Sequence, residues 1–208
     1  MAKSSHIRVL LVRSGANKWD DEGRLSGSAD LPFSASGQQD IESRIAALAG
    51  DSIKFIGCGP EETTRISAEM LADQCQAKVK VYPAFHEVGL GLWEGMLVVD
   101  AAERHKTAYR QWREDPAAIV PPGGEKLQEA SVRIVNQVRE LLLRCKADAT
   151  CGVGIVLRPM AYGLVHCWLG NETQSLMWSA AESEEGYERF MVDRQSLSGK
   201  TPVLLHSD

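Results

Sequence analysis

Residues 9–34 read VLLVRSGANKWDDEGRLSGSADLPFS, and the change of texture inside that stretch decides the fold. It begins within IRVLLV, Ile7 to Val12, an apolar run of the kind buried on both faces of a sheet. A polar loop rich in Gly and Ser follows at once. Ser34 or Ser36 then caps a predicted helix running to about Leu48, with Ile41, Ile45 and Leu48 on one face. A buried strand that hands the chain through a Gly-rich loop to a helix is the repeating unit of an α/β protein.

The unit recurs along the chain. IKFIGC is a second buried strand, and PEETTRISAEMLADQC a helix with Pro60 at its start and acids in its first turn. AKVKVYP is a third, shorter strand. Phe85 to Pro122 is less regular, and residues 88–122 are expected to form an insertion over the sheet edge. Helix 126–145 carries Leu127, Ile134, Val138 and Leu141 on one side. VGIVL, Val153 to Leu157, is another buried strand, and AYGLVHCWLG a largely buried helix ending at Gly170. YERFMV and PVLLH are two late strands. The expected fold is a three-layer α/β/α sandwich with a mostly parallel central sheet, built by residues 1–208 as a single domain.

Composition excludes several classes. A net charge of −5 argues against nucleic acid or an anionic membrane as partner. No apolar run spans a bilayer, and the N-terminal MAKSSHIRVLLV lacks a signal-peptide pattern. The five cysteines are irregularly spaced and contain no C-x-x-C pair, so neither a disulfide framework nor structural zinc is expected. The five histidines show no metal-ligand spacing. The expectation is a cytoplasmic protein with reduced thiols and no cofactor or metal.

In a parallel sheet, ligands bind outside the carboxyl ends of the strands. The residues there are Arg13, Ser14, Asn17, Cys58, Glu87 and Arg158. Arg13 and Arg158 form a candidate anion site, since two guanidinium forks match phosphate or carboxylate, with Ser14 adding a hydroxyl. Glu87 is either a general acid or a structural hydrogen-bond acceptor. Arg158 either binds an anion or pairs with Glu87. Cys58 reads as a small buried hydrophobe, His86 as pointing away from Glu87, and His166 and Trp168 as core. The acidic run ESEEGYE reads as a solvated helix end or loop.

These blocks resemble the histidine phosphatase superfamily, in its phosphoglycerate-mutase-like branch. Its signature L-V-R-H-G-E-T-x-W-N, then G-R-L-Q-G-x-x-D-x-P-L-S/T-x-x-G, answers to LVRSGANKWD and GRLSGSADLPFSASG. S-S-x-L-x-R-A-x-Q-T-A-E answers to CGPEETTRISAE, and L-x-E-x-x-x-G-x-W-E-G to FHEVGLGLWEG. P-P-G-G-E-S answers to PPGGEK, and V-S-H-G-G to VLRPM. The blocks keep the family's order over nearly the whole chain.

The resemblance implies the fold, and it locates what has changed. The family's phosphoryl-accepting histidine is Ser14 here, its second histidine is Arg158, and its helix arginine is Thr63. Arg65 lies two residues on, about 200° round the helix from Thr63. Arg13, Gly15 and Glu87 are retained. Serine is a poor nucleophile without a positioned base, so the resemblance implies a catalytically inactive member, a pseudoenzyme holding phosphate or a phosphorylated small molecule. Two alternatives stay open: a weak or altered phosphatase or phosphomutase using Glu87 with Ser14 or water, and a scaffold for a protein partner.

Overall fold

The computed structural model describes residues 6–146, 148 and 150–197. Among the described residues, five strands form one sheet in the order β3-β2-β4-β1-β5. They are β1 (His6–Arg13), β2 (Ile53–Cys58), β3 (Lys78–Val81), β4 (Gly152–Leu157) and β5 (Tyr187–Asp193). β1, β2, β3 and β4 run parallel, and β5 pairs antiparallel with β1. The stretch YERFMV is thus a strand and makes the sheet mixed. The second late strand expected, PVLLH, lies outside the described residues.

Alternation along the strands builds two apolar layers. Val9 and Leu11 of β1 face one side, with Val153 and Ile155 of β4. They meet α6 (Leu127–Arg144), α7 (Pro159–Gly170) and α8 (Met177–Ala181) through Ile134, Leu164 and Met177. Leu10 and Val12 face the other side with Ile56, against α2 (Ala35–Ala47) and α3 (Glu62–Cys75) through Ile41 and Leu71. The result is the expected α/β/α sandwich.

Local chemistry sets the helix ends. Ser34 caps α2 by accepting from Gly37 N–H at 3.0 Å. The helix predicted from Pro60 starts two residues later, with Glu61 at its N-cap. Pro159 opens α7 at a position where a missing N–H costs nothing. Gly15 and Gly37 let the loop after β1 touch the start of α2. A Cβ on Gly15 would lie 2.4 Å from the Gly37 carbonyl oxygen, and one on Gly37 2.3 Å from that of Ala16.

Residues 88–122 contain α4 (Val98–Arg104) and α5 (Lys106–Glu114). Leu97 bridges to Arg24, which lays this segment beside the loop after β1. Trp93 and Trp112 are buried in the same apolar layer as α6 and α7. Trp112 packs edge-on against Trp178 of α8, with ring centroids 4.6 Å apart. Arg113 lies over the Trp178 ring at 4.4 Å and pairs with Glu182 through two hydrogen bonds, of 2.6 and 2.9 Å.

Candidate functional site

The loop after β1 and the carboxyl end of β4 line a cleft of about 380 Å³. Polar groups on its wall include Asp20, Glu87 and Arg158, and aromatic ones include Tyr109, Trp112 and Trp178. Arg158, the residue after β4, is only 2% exposed, and its guanidinium meets the Asp20 carboxylate in a two-point pair at 2.8 and 3.1 Å. Asp20 belongs to α1 (Lys18–Asp21), which the loop after β1 forms.

That helix begins with a capping box. Asn17, 1% exposed, accepts from Asp20 N–H at 2.9 Å, and Asp20 accepts from Asn17 N–H at 2.8 Å. Ser26 donates to the other Asp20 oxygen at 2.7 Å. Burial alone would raise the Asp20 pKa. Arg158, then the hydrogen bonds from Asn17 and Ser26, overcome that and hold it below the usual aspartate value. Burial pulls the Arg158 pKa down, but Asp20 more than offsets this, so Arg158 stays charged.

Ser14 is 3% exposed, and its Oγ has no hydrogen-bond partner. Its backbone N–H donates to Leu157 O at 2.8 Å, and Gly15 N–H to Ser67 Oγ at 3.1 Å, so backbone bonds hold the loop. Thr63 is buried. Arg65 is exposed and donates to the Pro60 carbonyl at 3.1 Å, outside the cleft wall, so it does not replace the arginine missing at Thr63.

Glu87 caps α7 from a distance. Its oxygens accept from Met160 N–H at 2.7 Å, Ala161 N–H at 2.9 Å and Val88 N–H at 2.8 Å. Met160 and Ala161 supply first-turn donors of α7 that the helix cannot satisfy itself, and Val88 is the neighbour of Glu87 in sequence. Burial pushes the Glu87 pKa up to about 7, against the opposing pull of Arg158 and the Val88 and Met160 N–H groups. Glu61, also buried, accepts from Glu87 N–H at 2.6 Å and brings a second carboxylate close.

The two arginines expected to form an anion site each have a partner in the protein. Arg13 leaves β1 on the side of Leu11 and donates to the Ala181 carbonyl at the end of α8. Burial and neighbouring Arg44 lower its pKa. The cleft wall includes Arg158 but not Arg13. The alternative partner expected for Arg158 was Glu87, and the ion pair is with Asp20 instead. His86 donates from Nδ1 to the Glu87 carbonyl at 2.8 Å, away from the carboxylate. The Cys58 thiol is buried and pushed up to about 12, with burial the main cause, as befits a packed side chain rather than a nucleophile. His166 is not core: its side chain is partly buried between Glu172 and Glu188.

Sequence reasoning missed Asp20 and Glu61. Both signals stood in the quoted blocks. Asp20 falls where the signature ends in Asn, and Glu61 where the second block has Leu. Each places a carboxylate within reach of a new neighbour.

A three-layer sandwich with polar groups gathered at the strand ends after β1 and β4 defines a phosphatase-type fold. The chain belongs to the histidine phosphatase superfamily, branch 1, whose family model matches residues 9–187. It is 24% identical over 201 residues to phosphoserine phosphatase 1 of Hydrogenobacter thermophilus, covering 96% of this chain and 94% of that one. It is 26% identical over 135 residues to the adenosylcobalamin/α-ribazole phosphatase of Escherichia coli, covering 65% and 66%. Some relatives are longer: the match spans 26% of an Arabidopsis thaliana protein and 47% of a bifunctional Mycobacterium tuberculosis one. Among solved structures, the Shigella flexneri α-ribazole phosphatase superposes with a TM-score of 0.74 at 22% identity, over 90% of this chain and 95% of that one. A mycobacterial glucosyl-3-phosphoglycerate phosphatase in complex with inorganic phosphate superposes with a TM-score of 0.71 at 18% identity, over 89% and 95%. Among the described residues, no helix is long and apolar enough to cross a membrane.

Proposed function

We propose that this chain is a catalytically inactive member of the superfamily, one that binds a phosphorylated small molecule without turning it over. The observation that carries this is Ser14. Its hydroxyl is buried without a hydrogen-bond partner, so no base is set to take its proton. Loss of a nucleophile in other enzymes lowers the rate by on the order of 10⁴ to 10⁶.

The Arg158–Asp20 pair supports the same conclusion. Arg158 presents its fork at the carboxyl end of β4, and the Asp20 carboxylate already satisfies it. An incoming phosphate must displace Asp20, which makes affinity modest and dependent on that residue. The relatives named as phosphatases, and the neighbour solved with phosphate, favour a phosphate-bearing ligand for this cleft.

A second reading rests on Glu87. A carboxyl group held near 7 on a cleft wall is suited to proton transfer. In that reading the chain is a slow phosphatase with water as nucleophile.

Titration calorimetry with phosphate and vanadate, run beside a phosphatase substrate screen, separates the two. We expect weak phosphate binding, strengthened in Asp20→Asn and lost in Arg158→Ala, with no turnover and no labelled phosphoenzyme. Turnover that disappears in Glu87→Gln refutes the inactive assignment and establishes the second reading.

A further inference from the structure

We propose that His166, Cys167 and Glu172 form a site for one divalent transition-metal ion, with zinc as the reference ligand. One ligand atom from each of the three lies within 4.8 Å of the others. All three sit at the far end of α7, about 12 Å along the helix from the phosphate cleft.

The chain brings them together by a turn. α7 stops at Gly170, and Asn171 adopts a left-handed conformation with φ 58°. That reversal lets Glu172 N–H donate to the Cys167 carbonyl at 2.8 Å, folding Glu172 back over the last helical turn. A tetrahedral zinc shell with bonds of about 2.0–2.3 Å needs donor atoms about 3.3–3.8 Å apart. The three donors therefore close by about an ångström. Glu172, with a side chain 40% exposed, is the one free to swing.

The imidazole is already oriented as a ligand. Its Nε2 is hydrogen-bonded to the Glu188 carboxylate, which assigns the proton to that nitrogen. Nδ1 has no hydrogen-bond partner and lies 3.5 Å from Glu172 Oε2. A carboxylate behind the far nitrogen of a histidine is the usual support for a metal-bound imidazole. A cavity of about 360 Å³ gives access to His166 and Glu172, with Glu184, Glu185 and Glu188 also on its wall, while Cys167 is buried in the apolar layer off that wall. That wall draws cations. Burial pushes the Cys167 thiol up to about 12, as it does Cys58, so Cys167 would give up its proton to solvent only as the metal–sulfur bond forms.

The test uses the full chain, freed of metal by a chelator. Zn²⁺ is titrated in competition with a chromophoric chelator, and Co²⁺ is added for its spectrum. We expect one Zn²⁺ per chain and a thiolate-to-cobalt band in the near ultraviolet that Cys167→Ala abolishes. Glu172→Gln and Glu188→Gln should each weaken binding about ten- to a hundredfold. Because Glu172 and Glu188 are on the surface, those variants keep the test sound if Cys167→Ala fails to fold. No binding at about 100 µM Zn²⁺ overturns the proposal, as does affinity unchanged in Glu172→Gln. Either result would identify His166 as a plain bridge between two glutamates.

Discussion

Removing the Asp20 carboxylate charge should destabilise the protein and, in the same step, open its cleft to anions. Arg158 is 2% exposed and depends on Asp20 for a two-point pair at 2.8 and 3.1 Å. Breaking a buried ion pair from one side costs about 3–5 kcal/mol, because the remaining charge is stranded. The Asp20 side chain is 25% exposed, so water reaches the pair and the expected loss falls to about 2 kcal/mol for Asp20→Asn. Asp20→Ala also removes the acceptor of the α1 capping box, a further loss of about 1 kcal/mol. In urea, with a slope of about 2 kcal/mol/M, the Asn variant should unfold at a midpoint about 1 M lower. Adding Arg158→Met to Asp20→Asn should recover more than about 1 kcal/mol of the summed losses, since the two changes remove one interaction. Phosphate should then stabilise Asp20→Asn selectively, by about 1.4 kcal/mol at ten times its dissociation constant. A loss under about 0.5 kcal/mol with additive double-mutant energies would show that the pair is solvated, and the account of the plugged cleft would fail.

Protonation of Glu87 gives a second handle. Its folded pKa is raised to about 7, so the native state holds a proton that the unfolded chain releases near pH 4.3. The stability this group contributes is full below about pH 4.3 and is lost as pH rises through about 7, by up to about 4 kcal/mol. Glu87→Gln should flatten that slope in urea titrations at pH 5 and 8, and an unchanged slope would assign it elsewhere. Asp20 has the opposite sign. Its depressed pKa contributes stability that is present above the ordinary aspartate value and is lost as pH falls below it, so the Asp20→Asn deficit should shrink on acidification below about pH 4. Ser14→Ala removes a buried hydroxyl that has no partner, so stability should stay the same or rise by up to about 1 kcal/mol; a clear loss would reveal a hidden hydrogen bond. Gly37→Ala should fail to fold or lose more than about 2 kcal/mol, because its Cβ would meet the Ala16 carbonyl oxygen at 2.3 Å, and a thermal melt close to wild type would refute that contact.

Local patterns carried most of the fold. Apolar runs fixed β1, β2 and β4, and Ser34 marked the start of α2 by a mechanism that acts within three residues. Where sequence reasoning failed, the cause was an interaction between distant parts of the chain. Arg158 and Asp20 are 138 residues apart, and only their separate departures from the signature hint that they belong together. Arg13 was legible in principle: it continues the odd-numbered face of β1 with Val9 and Leu11, and that face leads to α8 rather than across to Arg158. The cap that Glu87 provides for α7 works through backbone N–H groups, which no side-chain pattern announces.

The edge-to-face indoles on the cleft wall supply a built-in optical signal. Trp112 and Trp178 lie edge to face with Arg113 over one ring, so their transitions couple and their emission is sensitive to a charge a few ångströms away. A ligand that disturbs the Arg113–Glu182 pair moves that charge. Near-ultraviolet circular dichroism of the unlabelled protein is thus a ligand-screening readout that requires no turnover. A Trp178→Phe control assigns the signal to this pair among the five tryptophans.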